Sequence, residues 1–118
     1  MSTAMDSYLS PRWRAHVPIG TLVAYRDPYK IMVGRVVKHD RNIPRAGQVP
    51  DPFAGEWKVH VDDGIHLPSS FGLLQSDFRT GRAVVVERFE QLVEFLADPL
   101  LQNRDFLTQE MRSWKCSA

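Results

Sequence analysis

One stretch near the middle of the chain, residues 56–67, constrains the fold more than any other. In this stretch the apolar residues Trp57, Val59 and Val61 alternate with polar residues. A period of two is typical of a β-strand that buries one face. An Asp-Gly pair at positions 63–64 then indicates a tight turn, after which the alternation resumes.

The two halves of this stretch predict a β-hairpin, and the side-chain pattern selects its register. A two-residue loop would place polar residues opposite apolar ones. A three-residue loop over residues 62–64 instead pairs Val61 with Ile65 and His60 with His66, so that both faces agree. The glycine of the loop then takes the left-handed backbone conformation that such loops require.

The composition is that of one globular domain. The chain has 118 residues, of which 43% are hydrophobic and 25% are charged. Its single cysteine, Cys116, leaves no partner for an intramolecular disulfide and favours a reducing compartment. The apolar runs are too short to span a bilayer, and the N-terminus lacks the apolar core of a signal peptide. We therefore predict a cytoplasmic protein.

The first half of the chain predicts an arm, a hairpin and a long loop. Residues 1–16 have no hydrophobic period and are expected to form a mobile N-terminal arm. Strands over 19–26 and 31–38 are joined by a turn with proline at its second position. A glycine inside the second strand suggests a bend or bulge. The loop over 39–55 is rich in proline and glycine and is either functional or disordered.

The second half predicts one more strand and two helices. Residues 69–78 allow a short helical turn around 72–74 at most, and 82–86 read as a strand. Apolar residues at three- and four-residue spacing predict an amphipathic helix over 88–97. The Asp98-Pro99 pair then predicts the N-cap and first residue of a second helix, which extends to about Trp114.

This arrangement resembles the SH3-like barrels, Tudor-like and KOW-like modules included. The similarity rests on an opening strand at 19–24, a second strand with its glycine at 34–37, and the strand closing on Asp-Gly at 57–64. It covers residues 17–86. It implies an α+β fold with a five-stranded antiparallel SH3-like barrel. Two short C-terminal helices over 87–118 are expected to pack on the same domain.

The charge is unevenly distributed along the chain, and this gives the best functional lead. Residues 1–45 hold eight basic and three acidic residues, a net charge of +5, whereas the whole chain has +1. Basic residues with aromatic residues between them suit a phosphate backbone and stacked bases. The predicted binding residues are Trp13, Tyr25, Arg26, Tyr29, Lys30, Arg35, Lys38, Arg41 and Arg45.

The leading hypothesis is a non-enzymatic binding or adaptor module that recognises a protein or a nucleic acid, without a membrane partner. One alternative is a small RNA-cleaving, toxin-like enzyme on the same kind of barrel. Its candidate residues would be Arg26, Lys30, Arg35 and His39, although no motif beyond residue type supports them. A second alternative is a structural subunit that forms a homodimer through its C-terminal helices.

No cofactor, metal or catalytic residue is predicted. His60 and His66 share the outer face of the predicted hairpin with Asp62, but Lys58 on that face would repel a cation. No glycine-rich loop suits a bound phosphate. Cys116 has no histidine near it in sequence to act as a base.

Overall fold

The computed structural model describes residues 17–43, 52, 54–65 and 71–117 of the chain. Within these residues the elements are β1 (Leu22–Arg26), β2 (Ile31–Arg41), β3 (Trp57–Asp62), β4 (Phe71–Leu74), α1 (Gln75–Arg79), β5 (Ala83–Val85), α2 (Phe89–Leu96) and α3 (Arg104–Ser117). The predicted α+β class, with a five-stranded antiparallel sheet and helices at the C-terminal end, is confirmed. The short helix α1, between the last two strands, lies a few residues after the helical turn predicted around 72–74.

The sheet has the order β4-β3-β2-β1-β5, and every neighbouring pair is antiparallel. It is curled into a half-barrel. The strands β4 and β5 form its two edges, and within the described residues no ladder joins them. The helix α1, which follows β4 in the chain, contacts both of these edge strands.

Alternation along the strands divides the core into two layers. All five strands contribute to one layer, which we call the inner face. The opposite layer, which we call the helix-covered face, lies between β1, β2 and the helices α2 and α3. The buried residues of the inner face are Val17, Val23, Val36, Trp57, Val59, Val61, Leu73 and Ala83. Those of the helix-covered face are Leu22, Ala24, Ile31, Val33, Val86, Leu92, Leu101 and Leu107.

The first predicted hairpin is present. Arg26 pairs with Ile31, and one carboxylate oxygen of Asp27 accepts hydrogen bonds from the backbone N–H groups of Tyr29 (2.7 Å) and Lys30 (2.9 Å). The strand β2 is longer than predicted, because it continues to pair with β3 as far as Arg41. The loop predicted to begin at residue 39 therefore begins three residues later, after Arg41.

The glycine of β2 serves close packing rather than a bulge. A Cβ atom on Gly34 would collide with the side chain of Val61 and lie 2.6 Å from the backbone oxygen of Asp62. The irregularity in the ladder falls between Val36 and Lys38 instead. The sequence thus signalled a special position on β2 but not its cause.

The predicted partner of β3 was wrong. Val61 pairs with Phe71 of β4, not with Ile65. The backbone N–H groups of Gly64 and Ile65 donate to the aspartate side chains at 62 and 63, so they do not join a ladder with β3. Gly64 does take the predicted left-handed conformation, with φ of 76°.

The segment 72–74 is a strand and not a helical turn, since it forms the second half of the β3–β4 pair. The last helix begins at Arg104, five residues after the predicted start at Pro99. The intervening residues run beside β2: Ile31 donates its N–H to the oxygen of Leu100 and accepts one from Gln102. A turn that starts at Asp98, followed by a single bridge between Leu101 and Ile31, thus replaces the first helical turn that the proline would have allowed.

The predicted N-terminal arm, residues 1–16, lies outside the described residues, as does most of the predicted loop at 44–51. Within the described part of the chain, no helix has both the length and the apolar character needed to cross a bilayer.

Candidate functional site

A cavity of about 260 Å³ lies beside the inner face of the sheet. The β1–β2 hairpin forms one wall, and β4 with α1 forms the other. Its lining combines aromatic, apolar and acidic groups. The lining residues are Tyr25, Asp27, Lys30, Met32, Phe71, Gly72, Leu73 and Asp77. We call this cavity the acidic pocket.

The aromatic walls follow from strand alternation. Tyr25 pairs with Met32 and with Ala83, on the inner face of the sheet. Phe71 pairs with Val61, which points the same way. Both rings are partly buried against the inner core and partly open to the cavity. Two aromatic residues that lie 46 positions apart in sequence thus share one pocket.

The carboxylate of Asp27 is held by its own turn. Its Oδ1 atom accepts two backbone N–H groups, and its backbone N–H donates to the oxygen of Lys30 at 3.0 Å. This Asx turn is what a sequence of Asp-Pro followed by two residues favours. The turn therefore holds the charged group at the rim in a defined position rather than leaving it free in solvent.

The second carboxylate belongs to α1. The Oδ2 atom of Asp77 accepts the backbone N–H of Leu74 at 2.8 Å, which closes the first turn of the helix. The helix is also tied to β3, because Glu56 Oε1 accepts the N–H of Ser76 at 2.8 Å. Asp77 is thereby fixed on the wall opposite Asp27.

The phenol of Tyr25 is partly buried and lies near both carboxylates. Burial is the first cause that raises the pKa of the Tyr25 phenol above 10.0, and the charges of Asp27 and Asp77 raise it further. Arg82 opposes this rise but does not cancel it. The phenol is therefore neutral at physiological pH and beside two carboxylates. Only one cation, the exposed Lys30, lies among the lining residues.

A second cavity, of about 370 Å³, lies beside the start of α3 and is larger than the acidic pocket. Its buried polar groups serve the fold. The Asn103 amide bonds the N–H and oxygen of Val33 and the oxygen of Asp63, while the Asp63 carboxylate accepts the N–H of Ile65. Because these groups are already committed, the smaller acidic pocket is the better candidate for a binding site.

The structure disperses most of the predicted basic residues. Arg26 lies 3.6 Å from a carboxylate oxygen of Asp98. Arg35 forms a two-pronged ion pair with Glu110 of α3, at 2.9 and 2.5 Å, and donates a third bond to the oxygen of Gly20. Both arginines thus help to join the sheet to the C-terminal segment.

The other predicted residues also fall in separate places. Lys38 lies 4.0 Å from Asp40, and the guanidinium of Arg41 stacks 4.5 Å above the ring of Trp57. Tyr29 is exposed at the tip of the β1–β2 turn. Trp13 and Arg45 lie outside the described residues. Of the seven predicted residues that the structure describes, only Tyr25 and Lys30 line the acidic pocket.

The residues of the RNA-cleaving alternative do not share a site. His39 bonds the backbone oxygen of Val17 at 2.6 Å on the inner face, whereas Arg35 lies on the helix-covered face. The candidate metal group is not assembled in the described part of the chain either. There His60 lies 3.1 Å from Asp40, and His66 is outside the described residues.

Sequence reasoning missed most of the acidic pocket. Asp27 was recognised as a turn residue only, and Phe71 and Asp77 were not considered. The signal that was available is the apolar alternation at 71–74 followed by an acidic residue three positions later, a strand leading into a capped helix. The competing Asp-Gly turn signal at 63–64 concealed it.

Comparison with known proteins gives no assignment. No protein-family model, no curated protein and no solved structure matches this chain.

Proposed function

We propose that this protein is a non-enzymatic binding module that recognises a protein partner by taking one of its basic side chains into the acidic pocket. The observation that carries the proposal is the placement of two carboxylates, Asp27 and Asp77, on opposite walls of an aromatic cavity. Each is fixed by backbone hydrogen bonds and needs no rearrangement to receive a cation.

A basic side chain matches this pocket in both charge and shape. Its aliphatic stem suits the apolar lining of Met32 and Leu73, and its charged end suits the carboxylates. The rings of Tyr25 and Phe71 add an attraction for a cation of about 0.5–2 kcal/mol. A cavity of about 260 Å³ accommodates one long side chain and not a large ligand.

The same features favour a protein over a nucleic acid. Two carboxylates would repel a phosphate group. Two of the basic residues predicted to attract phosphate are instead engaged with acidic groups: Arg26 with Asp98, and Arg35 with Glu110. Such pairing reduces the positive field on which nucleic-acid binding depends.

The curled sheet is compatible with a small barrel of the Tudor-like or KOW-like kind. Membership of such a group is part of the proposal. The binding assignment does not depend on it, since fold alone does not define function. It depends on the pocket.

The test uses a fluorescently labelled pentapeptide, Thr-Val-Lys-Val-Thr, with blocked ends, and a second peptide in which norleucine replaces the central lysine. Binding to the full chain is followed by fluorescence anisotropy. Norleucine keeps the aliphatic stem and removes the charge. We expect about tenfold weaker binding of the norleucine peptide, equivalent to about 1.4 kcal/mol.

Variants of the protein test whether the charge dependence of peptide binding arises in the acidic pocket. Asp27→Asn and Asp77→Asn keep an oxygen that accepts the structural hydrogen bonds but remove one negative charge each. The matched control is Glu94→Gln, which removes one charge from the exposed side of α2. The two pocket variants are expected to weaken binding of the lysine peptide, whereas the control is not. Equal binding of both peptides, or equal loss in all three variants, would contradict the proposal.

A further inference from the structure

The acidic pocket borders the free edge of a strand. Three consecutive residues of β4, Phe71, Gly72 and Leu73, line it. Side chains alternate along a strand, so three consecutive residues can line one cavity only if the backbone itself borders it. The strand β4 is the last in the sheet order, and in the described part of the chain β3 is the only strand that pairs with it.

The direction of the backbone groups on β4 follows from one hydrogen bond. The N–H of Leu74 donates to Asp77 and therefore points away from β3. In an antiparallel pair, residues alternate between those bonded to the neighbouring strand and those directed outward. Gly72 lies two positions before Leu74, so its N–H and C=O groups are also directed away from β3, toward the acidic pocket.

The side of Gly72 that faces away from the inner face is occupied by a neighbouring side chain. A Cβ atom at this position would lie 2.9 Å from Cδ of the Lys58 side chain, which lies across the glycine. Within the described residues, no hydrogen bond outside the sheet occupies the N–H or the oxygen of Gly72. The edge therefore presents one donor and one acceptor beside an acidic cavity.

We infer that the partner is bound as an extended peptide that adds a short strand to β4 at Gly72 and directs a lysine or arginine side chain into the acidic pocket. This inference rests on the proposed function. The charge of Asp27 and Asp77 selects the occupant, because these two carboxylates outnumber the one cation, Lys30, among the lining residues. An extended segment with a basic side chain supplies both backbone partners for Gly72 and a second cation. The free edge of β4 thus sets the backbone conformation of the ligand, and the pocket sets its side chain.

Strand addition to β4 predicts an effect that binding in the acidic pocket alone does not predict. In an added strand, alternate backbone N–H groups face the sheet and the others face solvent. If the peptide is antiparallel to β4, the residue opposite Gly72 exchanges both hydrogen bonds, and its side chain points away from the inner face. The pocket side chain then comes from the next residue, whose own N–H points to solvent.

The experiment removes single N–H groups from the pentapeptide Thr-Val-Lys-Val-Thr by N-methylation and measures binding to the full wild-type chain. One peptide is methylated on the backbone nitrogen of the lysine. The other is methylated on both valines. We expect one of the two to bind about tenfold more weakly and the other to bind like the parent. Loss with the valine peptide indicates antiparallel addition, and loss with the lysine peptide indicates parallel addition.

The outcomes separate the inference from the proposed function. Unchanged binding of both methylated peptides, or equal loss with both, would overturn strand addition even if the norleucine peptide and Asp77→Asn still weaken binding. Loss of the charge dependence, with the alternation of N-methylation effects intact, would overturn the pocket assignment instead. The parent peptide and the Glu94→Gln protein provide the reference affinity in each series.

Discussion

The two faces of the sheet are made from alternate residues of the same strands, yet they differ in how their polar groups are satisfied. On the helix-covered face, Arg35 is paired with Glu110, and Asn103 bonds β2 to the segment after β3. Beside the inner face, the carboxylates of Asp27 and Asp77 accept backbone hydrogen bonds. Both residues also line the acidic pocket. The comparison separates polar groups that hold the fold from those available to a ligand.

The largest expected effect is on the helix-covered face. Asn103→Ala removes a nearly buried amide, 4% exposed, that bonds both backbone groups of Val33 and the oxygen of Asp63. Its loss leaves buried backbone groups unpaired, so we expect the free energy of unfolding to fall by about 3 kcal/mol. Urea denaturation measures this free energy of unfolding. The control Gln109→Ala, on the exposed side of α3, should cost no more than about 0.5 kcal/mol. Equal losses of unfolding free energy in the two variants would contradict the structural role of Asn103.

A smaller effect is expected for the ion pair that joins the sheet to α3. A double-mutant cycle with Arg35→Gln and Glu110→Gln should give a coupling energy of about 1 kcal/mol, since the pair is two-pronged but the arginine is still partly exposed. The same cycle on Lys38 and Asp40, which are more exposed and 4.0 Å apart, should give a value near zero. A larger coupling energy for Lys38–Asp40 than for Arg35–Glu110 would contradict this expectation.

On the inner face, the pKa of Tyr25 reports the charge of the acidic pocket. Burial, then Asp27 and Asp77, raise this pKa, so Asp77→Asn should lower it toward 10.0, whereas Glu94→Gln should leave it unchanged. A raised pKa in the folded state means that stability is fully present below about pH 10 and is lost as the pH rises through the folded value. That loss should be smaller in Asp77→Asn. NMR titration of the tyrosine ring carbons follows the pKa, and an unchanged value in Asp77→Asn would contradict the pocket electrostatics.

The smallest expected effect concerns Asp40, which does not line the acidic pocket. The backbone N–H of Arg41 and the side chain of His60 lower the pKa of its carboxyl below 3.8. The associated stability is present above pH 3.8 and is lost as the pH falls through the lowered value. Asp40→Asn should therefore flatten this part of the acid unfolding profile slightly, because the carboxyl is 40% exposed. A profile identical to that of the wild type would indicate that the titration of Asp40 contributes nothing to acid unfolding.

The sequence predicts the strands of this protein better than their pairing. Residues 19–26 and 31–38 were predicted as a hairpin from their strand-forming residues and the proline turn between them, and the structure contains it. The Asp-Gly signal at 63–64 was also real, since Gly64 is left-handed. It did not return the chain onto β3, because two aspartate side chains accept the backbone N–H groups that a ladder would need. Local turn chemistry does not reveal such competition.

The site was less predictable than the fold. Tyr25 and Lys30 were selected for a basic, base-stacking surface, and the structure places them in an acidic pocket instead. Net charge along a segment did not predict charge in space, because Asp98 and Glu110 come from the C-terminal region to pair with arginines of the first half. The pocket depends on β4 lying opposite the β1–β2 hairpin. That arrangement is set by sheet order and not by any local pattern.

The most direct test of the central claim is a two-dimensional NMR titration of the full chain, first with the pentapeptide Thr-Val-Lys-Val-Thr and then with a single-stranded oligonucleotide. The account predicts that the peptide shifts the backbone signals of Tyr25, Gly72 and Asp77 and leaves that of Lys38 in place. It also predicts that the oligonucleotide shifts none of these at physiological salt. Shifts at Lys38 and Arg41 with the oligonucleotide, and none in the acidic pocket with the peptide, would contradict it.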